Sequence, residues 1–140
     1  MVERGATRRE VPLPPGGWID WWTGERHDGG GTIEVDAPLD TLPLFLREGG
    51  IVPLLRPTID TLSPVADRQE IDSYATDPGM LYARAVPADE PSSFVLFDGS
   101  RIEIGAGGRP RFIAGGQFRI GAVVELWQDG AFSEVFVPPT

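Results

Sequence analysis

Proline and glycine interrupt this chain so often that a long helix cannot form in it. The 140 residues include 14 prolines and 18 glycines. Proline fixes φ and lacks an amide hydrogen, and glycine loses more conformational freedom than any other residue when it is ordered. No ten-residue window free of both also spaces its apolar residues at helical intervals of three, four and seven. The chain is the size of one domain, and this punctuation predicts short strands joined by tight turns.

The order of polar and apolar residues predicts about ten such strands. In residues 17–23 the period of two places Trp18 and Trp22 on one face and Trp21 on the other. Residues 32–37 alternate cleanly, which is typical of a half-buried antiparallel strand. No internal repeat is visible. We therefore predict an all-β antiparallel sandwich and leave open whether an N-terminal strand is missing from it.

Residues 39–47 are almost continuously apolar, which predicts a strand covered on both faces. Residues 105–116 are rich in glycine and arginine and predict only a turn. One helical turn is expected near residues 64–67. The predicted core residues are Leu44, Phe45, Leu46, Ile51 and Val52.

Charge and composition exclude several classes of partner. The formal net charge of −9 repels phosphate backbones, so we expect neither nucleic acid nor a membrane as a partner. The chain has no cysteine, so it has neither disulfides nor thiolate metal sites. No signal peptide and no membrane-length apolar run is visible, so we expect a soluble protein whose compartment is undecided.

Several short motifs between residues 3 and 55 follow one another in a specific order. A Leu-Pro-Pro-Gly lead enters W-x-D-x-W-T-G at Trp18–Gly24, and A-P-L-D follows at Ala37–Asp40. P-x-F-x-R-x-G-x-x-x-P then occupies Pro43–Pro53. This arrangement resembles the proximal C-terminal β-sandwich of family 31 glycoside hydrolases, the α-glucosidases and α-xylosidases. The resemblance covers about a third of the chain, and residues 56–140 resemble the family only loosely.

The resemblance implies a domain organisation. Residues 1–56 would be the sandwich region like the family's proximal C-terminal domain, and 57–79 an irregular connection. Residues 80–140 would be further strands of the same domain or the start of a distal β-domain. In the family this sandwich follows a catalytic TIM barrel, so the resemblance implies that the chain is a fragment. A missing strand would leave an exposed sheet edge.

None of the ionisable residues forms a convincing catalytic or metal site. Asp20 lies in Trp-x-Asp, but the family's nucleophile motif continues differently, and the resemblance implies a structural role. Glu34 and Asp36 share one strand face about 7 Å apart, and Asp36 with Asp40 is a second pair of carboxylates. Nothing nearby would raise one carboxyl pKa, so a solvated face is favoured. His27 is the only histidine, in a glycine-rich hairpin, and no metal or cofactor is expected.

The aromatic residues are better candidates for binding. Flat aromatic faces stack on sugar rings, yet the same residues could be buried in the core or against a neighbouring domain. Arg47 and the Trp18–Trp22 strand are the residues expected to face the barrel. The candidates for carbohydrate binding or a barrel interface are therefore Trp18, Trp21, Trp22, Trp127 and Arg47.

The predicted function is that of a non-catalytic accessory domain which packs on a catalytic barrel and supports it. The resemblance implies that the parent protein is a retaining α-glycoside hydrolase whose barrel carries the catalytic aspartates. Two alternatives stay open. One is a stand-alone carbohydrate-binding module with an oligosaccharide partner, and the other is a protein–protein docking domain.

Overall fold

Strands are the regular structure of the described part of this protein. The computed structural model describes residues 4–67 and 69–140, and within them no helix forms. Residues 1–3 lie outside the described residues, so the expectation of a missing N-terminal strand stays a prediction. In chain order the strands are β1 Arg8–Leu13, β2 Gly17–Asp20, β3 Arg26–Asp28, β4 Gly31–Asp36, β5 Phe45–Arg47, β6 Ile51–Leu54, β7 Leu81–Ala85, β8 Ser92–Val95, β9 Arg101–Ile104, β10 Pro110–Ile113, β11 Ala122–Gln128 and β12 Ala131–Val137.

The chain divides into two compact units. The first ends at Glu48 and also includes Asp129–Ala131, and the second comprises Gly49–Gln128 and Phe132–Thr140. In the first unit β1 pairs antiparallel with β4, and β2 lies between β3 and β5, both antiparallel to it. These five strands are short, and the apolar side chains buried among the described residues of this unit are Leu13, Ile19 and Leu46.

The second unit is a sandwich of two sheets over one apolar core. One sheet has the order β12-β11-β7-β6 and the other β10-β9-β8. The pairs β6–β7, β8–β9 and β9–β10 are antiparallel, whereas β11 runs parallel to β7. The predicted all-β sandwich is confirmed. The buried core residues are Ile51, Leu81, Ala83, Ala85, Leu96, Ile102, Ile104, Phe112, Phe118, Ala122, Val124, Leu126 and Val137.

Strand β7 shows how the period of two builds this sandwich. Leu81, Ala83 and Ala85 are buried, while Tyr82 and Arg84 between them are half-buried on the opposite face. The Arg84 guanidinium forms an ion pair with Glu125 of β11 and lies 4.1 Å from the ring centroid of Phe132. One face of the sheet therefore supplies the core, and the other keeps a charged pair beside an aromatic ring.

The predicted strand over residues 39–47 is wrong in its first two-thirds. Only β5, Phe45–Arg47, is a strand, and Leu39, Leu42 and Leu44 are exposed. Pro43 cannot donate a ladder hydrogen bond, and the Thr41 amide donates to the Pro38 carbonyl within a turn at 3.1 Å. Residues 39–44 therefore form a loop and not a strand, because Pro43 has no amide hydrogen for a sheet and the Thr41 amide is used within the turn.

The core prediction is correct at two of its five positions. Leu46 and Ile51 are buried, Phe45 and Val52 are half-buried, and Leu44 is exposed. Side chains alternate between the two faces of a strand. Phe45 is next to buried Leu46 and Val52 is next to buried Ile51, so each points away from the packed face of its strand.

Residues 105–116 contain a strand that their composition did not reveal. Phe112 of β10 is fully buried opposite Ile102. Residues 118–120 form no strand, although Phe118 is buried in the core. Pairing with β9 outweighed the weak strand propensity of a segment with many glycines.

Residues 55–80 contain no named strand, and the predicted helical turn near 64–67 does not form. Side chains hold this segment instead. The Arg56 guanidinium donates to the Asp72 carboxylate and, at 2.7 Å, to the Pro78 carbonyl. Hydrogen bonds from Arg56 and then Thr58 lower the pKa of Asp72. The ionised Asp72 carboxylate thus connects Arg56 and Thr58, at the start of the segment, to the later part of the segment.

The hairpin between β8 and β9 depends on Asp98. The Asp98 carboxylate accepts hydrogen bonds from the Ser100 amide at 2.9 Å, the Ser100 hydroxyl at 3.0 Å and the Gln117 amide at 2.9 Å. Burial raises the pKa of Asp98, but hydrogen bonds from Ser100 and Gln117 outweigh it and leave the pKa below its ordinary value. Ser100 is itself fully buried, so water cannot replace the hydrogen bonds that its amide and hydroxyl donate to Asp98.

We predict that Asp98→Asn lowers the free energy of unfolding by about 1–2 kcal/mol, because an amide nitrogen would replace one acceptor oxygen and leave donors unpaired. The contribution of ionised Asp98 is complete above the ordinary aspartate pKa of about 3.9 and is lost as the pH falls through the lower folded-state value. Urea unfolding between neutral and acidic pH measures both effects. Exposed Asp89→Asn is the matched control, and equal effects of the two substitutions would contradict the prediction.

Candidate functional site

The indole ring of Trp18 is fixed against the turn that precedes its strand. Its Nε1 donates to the Pro14 carbonyl at 2.8 Å, and the ring is half-buried. Gly29 approaches the same place so closely that a Cβ there would lie 1.8 Å from the Pro14 oxygen and 2.9 Å from Trp18 Nε1. Residue 29 must therefore lack a side chain, and Trp18 is occupied in closing the turn.

Asp20 ends β2 and turns the chain. Its Oδ1 accepts the Trp22 amide at 2.8 Å and the Thr23 amide at 3.0 Å. The Asp20 carbonyl accepts the Gly24 amide at 2.9 Å. Such side-chain acceptors offer the backbone an alternative to a ladder. The predicted strand over 17–23 therefore stops at Asp20, and the structural role that the resemblance implied for this residue has a physical basis.

This turn places Trp22 at the surface. The side chain is 59% exposed, and its Nε1 donates to the Leu42 carbonyl at 2.7 Å. Trp21 is half-buried, and its amide donates to the Leu44 carbonyl at 2.9 Å. The turn and the 37–44 loop are thereby fastened to each other in the first unit.

Trp22 lines an open groove of about 410 Å³ in the first unit. The groove also contains Pro38, Thr41 and Pro43 of the loop. A second groove of about 790 Å³ lies along residues 37–43 and part of β1. The ionisable residues of the Trp22 groove are Arg8, Asp20, Glu25, His27, Glu34 and Asp36.

The predicted carboxylate pair lies in this groove, but its surroundings do not suit glycoside hydrolysis. Arg8 Nε is 3.4 Å from Glu34 and 3.3 Å from Asp36, and all three side chains are more than half exposed. A general acid of this chemistry lies in an apolar site, whereas these two carboxylates are exposed and share one arginine. The pair fits a solvated strand face, as expected.

His27 lies on strand β3 and not in a free loop. Its ring meets the Phe45 ring edge-on, with centroids 5.8 Å apart and planes at 84°. Its Nε2 is 4.0 Å from a Glu25 oxygen. Among residues 4–67 and 69–140, no three histidine or acidic side chains are grouped so that they could hold a metal ion.

The remaining predicted site residues lie in both units. Arg47 is exposed on β5 directly opposite Trp18 on β2. Its guanidinium lies above Gly16, where an added Cβ would be 3.4 Å from Nε. Trp127 is half-buried on β11 of the second unit. The assignment of these residues and of the three N-terminal tryptophans to sugar or barrel contacts stays a prediction.

Sequence reasoning missed the exposed leucines of the 37–44 loop. Leu39 is fully exposed, Leu42 is 71% exposed and Leu44 is also exposed. The available signal was proline, which has no amide donor: Pro38 directly precedes the nine-residue apolar segment 39–47, and Pro43 lies within it. Apolar residues whose backbone does not pair in a sheet stay outside the core, and their side chains are exposed at the surface.

The described residues form an all-β structure whose first unit has an exposed apolar loop and a polar groove lined by Trp22. Residues 1–52 match the family model described as the glycosyl hydrolase family 31 C-terminal domain. The resemblance derived from the motifs of this segment is therefore confirmed. In the described part of the chain no helix is long and apolar enough to cross a membrane.

Individual relatives give the same result. The chain is 39% identical over 67 residues to an α-xylosidase of Saccharolobus solfataricus, covering 47% of this chain and 9% of the relative. It is 44% identical over 54 residues to α-glucosidase 2 of Bacillus thermoamyloliquefaciens, covering 39% and 7%. The crystal structure of a family 31 α-xylosidase from Xanthomonas citri superposes with a TM-score of 0.64 at 25% identity, over 94% of this chain and 15% of that one.

The two kinds of similarity extend over different parts of the chain. The family model matches residues 1–52 and the two relatives cover 47% and 39% of the chain, whereas the structural match covers 94% of it. The chain spans less than a tenth of these curated relatives. It therefore corresponds to a small part of those enzymes.

We predict that Asp20→Ala lowers the free energy of unfolding by about 1 kcal/mol, because the Trp22 and Thr23 amides lose their acceptor. Asp20→Asn should stay closer to the wild type, since its Oδ1 can still accept both bonds. Urea unfolding followed by tryptophan fluorescence measures the difference. Equal losses in the two variants would show that the charge and not the acceptor matters.

Proposed function

We propose that this chain acts as a non-catalytic accessory domain of a family 31 type α-glycosidase, packing on the catalytic barrel and supporting it. The observation that carries the proposal is the exposed apolar loop at residues 37–44. Leu39, Leu42 and Leu44 offer apolar surface to solvent, and contiguous exposed apolar surface is typical of an interface.

The loop is also held in place before any partner arrives. The Leu42 carbonyl accepts from Trp22 Nε1 and the Leu44 carbonyl from the Trp21 amide. A loop ordered in advance loses less conformational entropy on docking. Leucines on a backbone held in this way are thus suited to burial against a rigid surface.

The small share of each relative that the chain covers supports a barrel as the partner. Two relatives are an α-xylosidase and an α-glucosidase, and the chain matches 9% and 7% of them. The parent protein would then hydrolyse α-linked glycosides with retention, using carboxylates outside this chain. No described carboxylate pair here combines the spacing with the apolar surroundings of that chemistry.

A second candidate function has one observation in its favour. The groove beside Trp22 joins an exposed aromatic ring with hydrogen-bonding side chains, which suits a carbohydrate-binding module. A protein–protein docking domain unrelated to sugars would also use the exposed loop.

The mass of the native gene product on an immunoblot distinguishes the accessory domain from these two alternatives. A product several hundred residues longer supports the accessory domain, and a product of 15.2 kDa favours the alternatives.

We predict that the isolated chain does not hydrolyse aryl α-glucosides or α-xylosides, because the candidate carboxylates Glu34 and Asp36 are solvated and share Arg8. Release of the aryl group measures this directly. Turnover that survives repurification and disappears with Asp36→Asn would contradict a non-catalytic role.

We predict that Leu39→Ser combined with Leu42→Ser destabilises a hybrid enzyme in which this chain replaces the corresponding segment of the Saccharolobus solfataricus α-xylosidase. Each leucine buried at an interface contributes about 1.5–3 kcal/mol. The hybrid's thermal unfolding and xylosidase activity are the measurements.

Leu62→Ser is the matched control, since Leu62 is 62% exposed but lies in the second unit. The serine pair should leave the stability of the isolated chain nearly unchanged, because its leucines are already in solvent. If the hybrid tolerates the serine pair as well as the control, this loop is not the interface.

A further inference from the structure

We propose that the groove beside Trp22 is a binding site for a neutral sugar ring, with Trp22 as the stacking platform. This inference deepens the second candidate function by naming the ligand class and the stacking residue, and it does not rest on the accessory role. The site belongs entirely to the first unit, and its volume of about 410 Å³ lies within the range of small-molecule sites.

The platform is ordered in advance. Trp22 Nε1 donates to the Leu42 carbonyl, and the Trp22 amide donates to Asp20 Oδ1. Backbone and ring are therefore both held while 59% of the side chain stays exposed. A ring fixed in this way loses little conformational entropy when a ligand stacks on it. Ordering the site therefore subtracts little from the binding free energy.

The polar groups of the groove match the hydroxyl groups of a sugar. Glu25, Glu34 and Asp36 supply acceptors, and the Arg8 guanidinium supplies donors beside the last two. Hydrogen bonds with one charged partner are shorter and stronger than neutral ones. An apolar face beside charged hydrogen-bonding groups complements a pyranose, which has a C–H face and a hydroxyl rim.

The charge of the groove selects against anions. Its ionisable lining contains four carboxylates, Asp20, Glu25, Glu34 and Asp36, against one arginine. The whole chain also carries a formal net charge of −9. Phosphate and uronate ligands would be repelled, so the ligand class is an uncharged sugar.

The 37–44 loop contributes to both grooves. Pro38, Thr41 and Pro43 line both, whereas Trp22 lines only the groove proposed for sugar and Leu39 and Leu42 line only the second groove. Trp22 also donates to the Leu42 carbonyl, so the sugar-binding effect of a Trp22 substitution is read from the titration of the isolated chain, where no barrel is present, and docking is tested with the two leucines in the hybrid enzyme. Failure of one proposal leaves the other to be judged on its own experiment.

The test is titration of the 140-residue chain with maltotriose and isomaltotriose, followed by calorimetry and ligand-observed NMR. We expect saturable binding, weakened about tenfold or more by Trp22→Ala and severalfold by Glu34→Gln with Asp36→Asn. Sorbitol, which has hydroxyl groups but no ring face, and glucuronic acid, which is anionic, should bind far more weakly. Leu39→Ser should bind like the wild type.

Trp22→Phe keeps the test decisive even if the alanine variant unfolds. Phenylalanine retains an aromatic face, so the NMR signal of the bound sugar should persist, whereas the sugar-induced shift of tryptophan fluorescence should disappear. A shift that persists in Trp22→Phe would place the sugar at another tryptophan and overturn the proposal. Absence of saturable binding to the folded wild type, or equal binding of glucuronic acid, would also overturn it.

Discussion

Each strand end leaves backbone amides without a partner in a sheet. How these amides find other acceptors shapes the turns and the surface of this protein. The described strands are only three to seven residues long, and proline or glycine follows most of them closely, so amides are left over wherever a strand stops. Aspartate carboxylates accept many of them. Asp20 receives two amides after β2, and Asp98 receives two after β8. An acceptor within a few residues of its own turn is the usual role of aspartate outside regular structure. Part of the acidity of this chain thus stabilises its turns.

The same constraint creates the candidate surfaces. Because Asp20 turns the chain, Trp22 leaves the sheet and reaches solvent, where its indole nitrogen fastens the 37–44 loop. Because Pro43 cannot pair, the leucines of that loop stay outside the core. An exposed aromatic ring and an exposed apolar loop therefore arise from local backbone chemistry. Neither needs a catalytic group, and the carboxylates beside them are paired with Arg8 in solvent.

The similarity to family 31 enzymes is carried differently by the two units. The family model covers residues 1–52, where turn residues such as Asp20 and Gly29 are required by close contacts. The second unit is a sandwich whose core tolerates exchange among apolar residues of suitable volume, so its fold can persist while its sequence diverges. This explains why the structural match to the Xanthomonas citri enzyme covers 94% of the chain although the sequence matches do not.

Local chemistry along the chain was sufficient for the all-β class and for the alternating strand β4, because turn propensity and the period of two act between near neighbours. It also pointed to Trp22, though it placed that residue on the face of Trp18. The loop at 37–44, the strand β10 and the parallel pairing of β11 with β7 were not foreseen. Each depends on which distant strand is free to pair, and a window of ten residues contains no information about that partner. The groove beside Trp22 likewise exists only because β1, β4 and the turn after β2 meet in space.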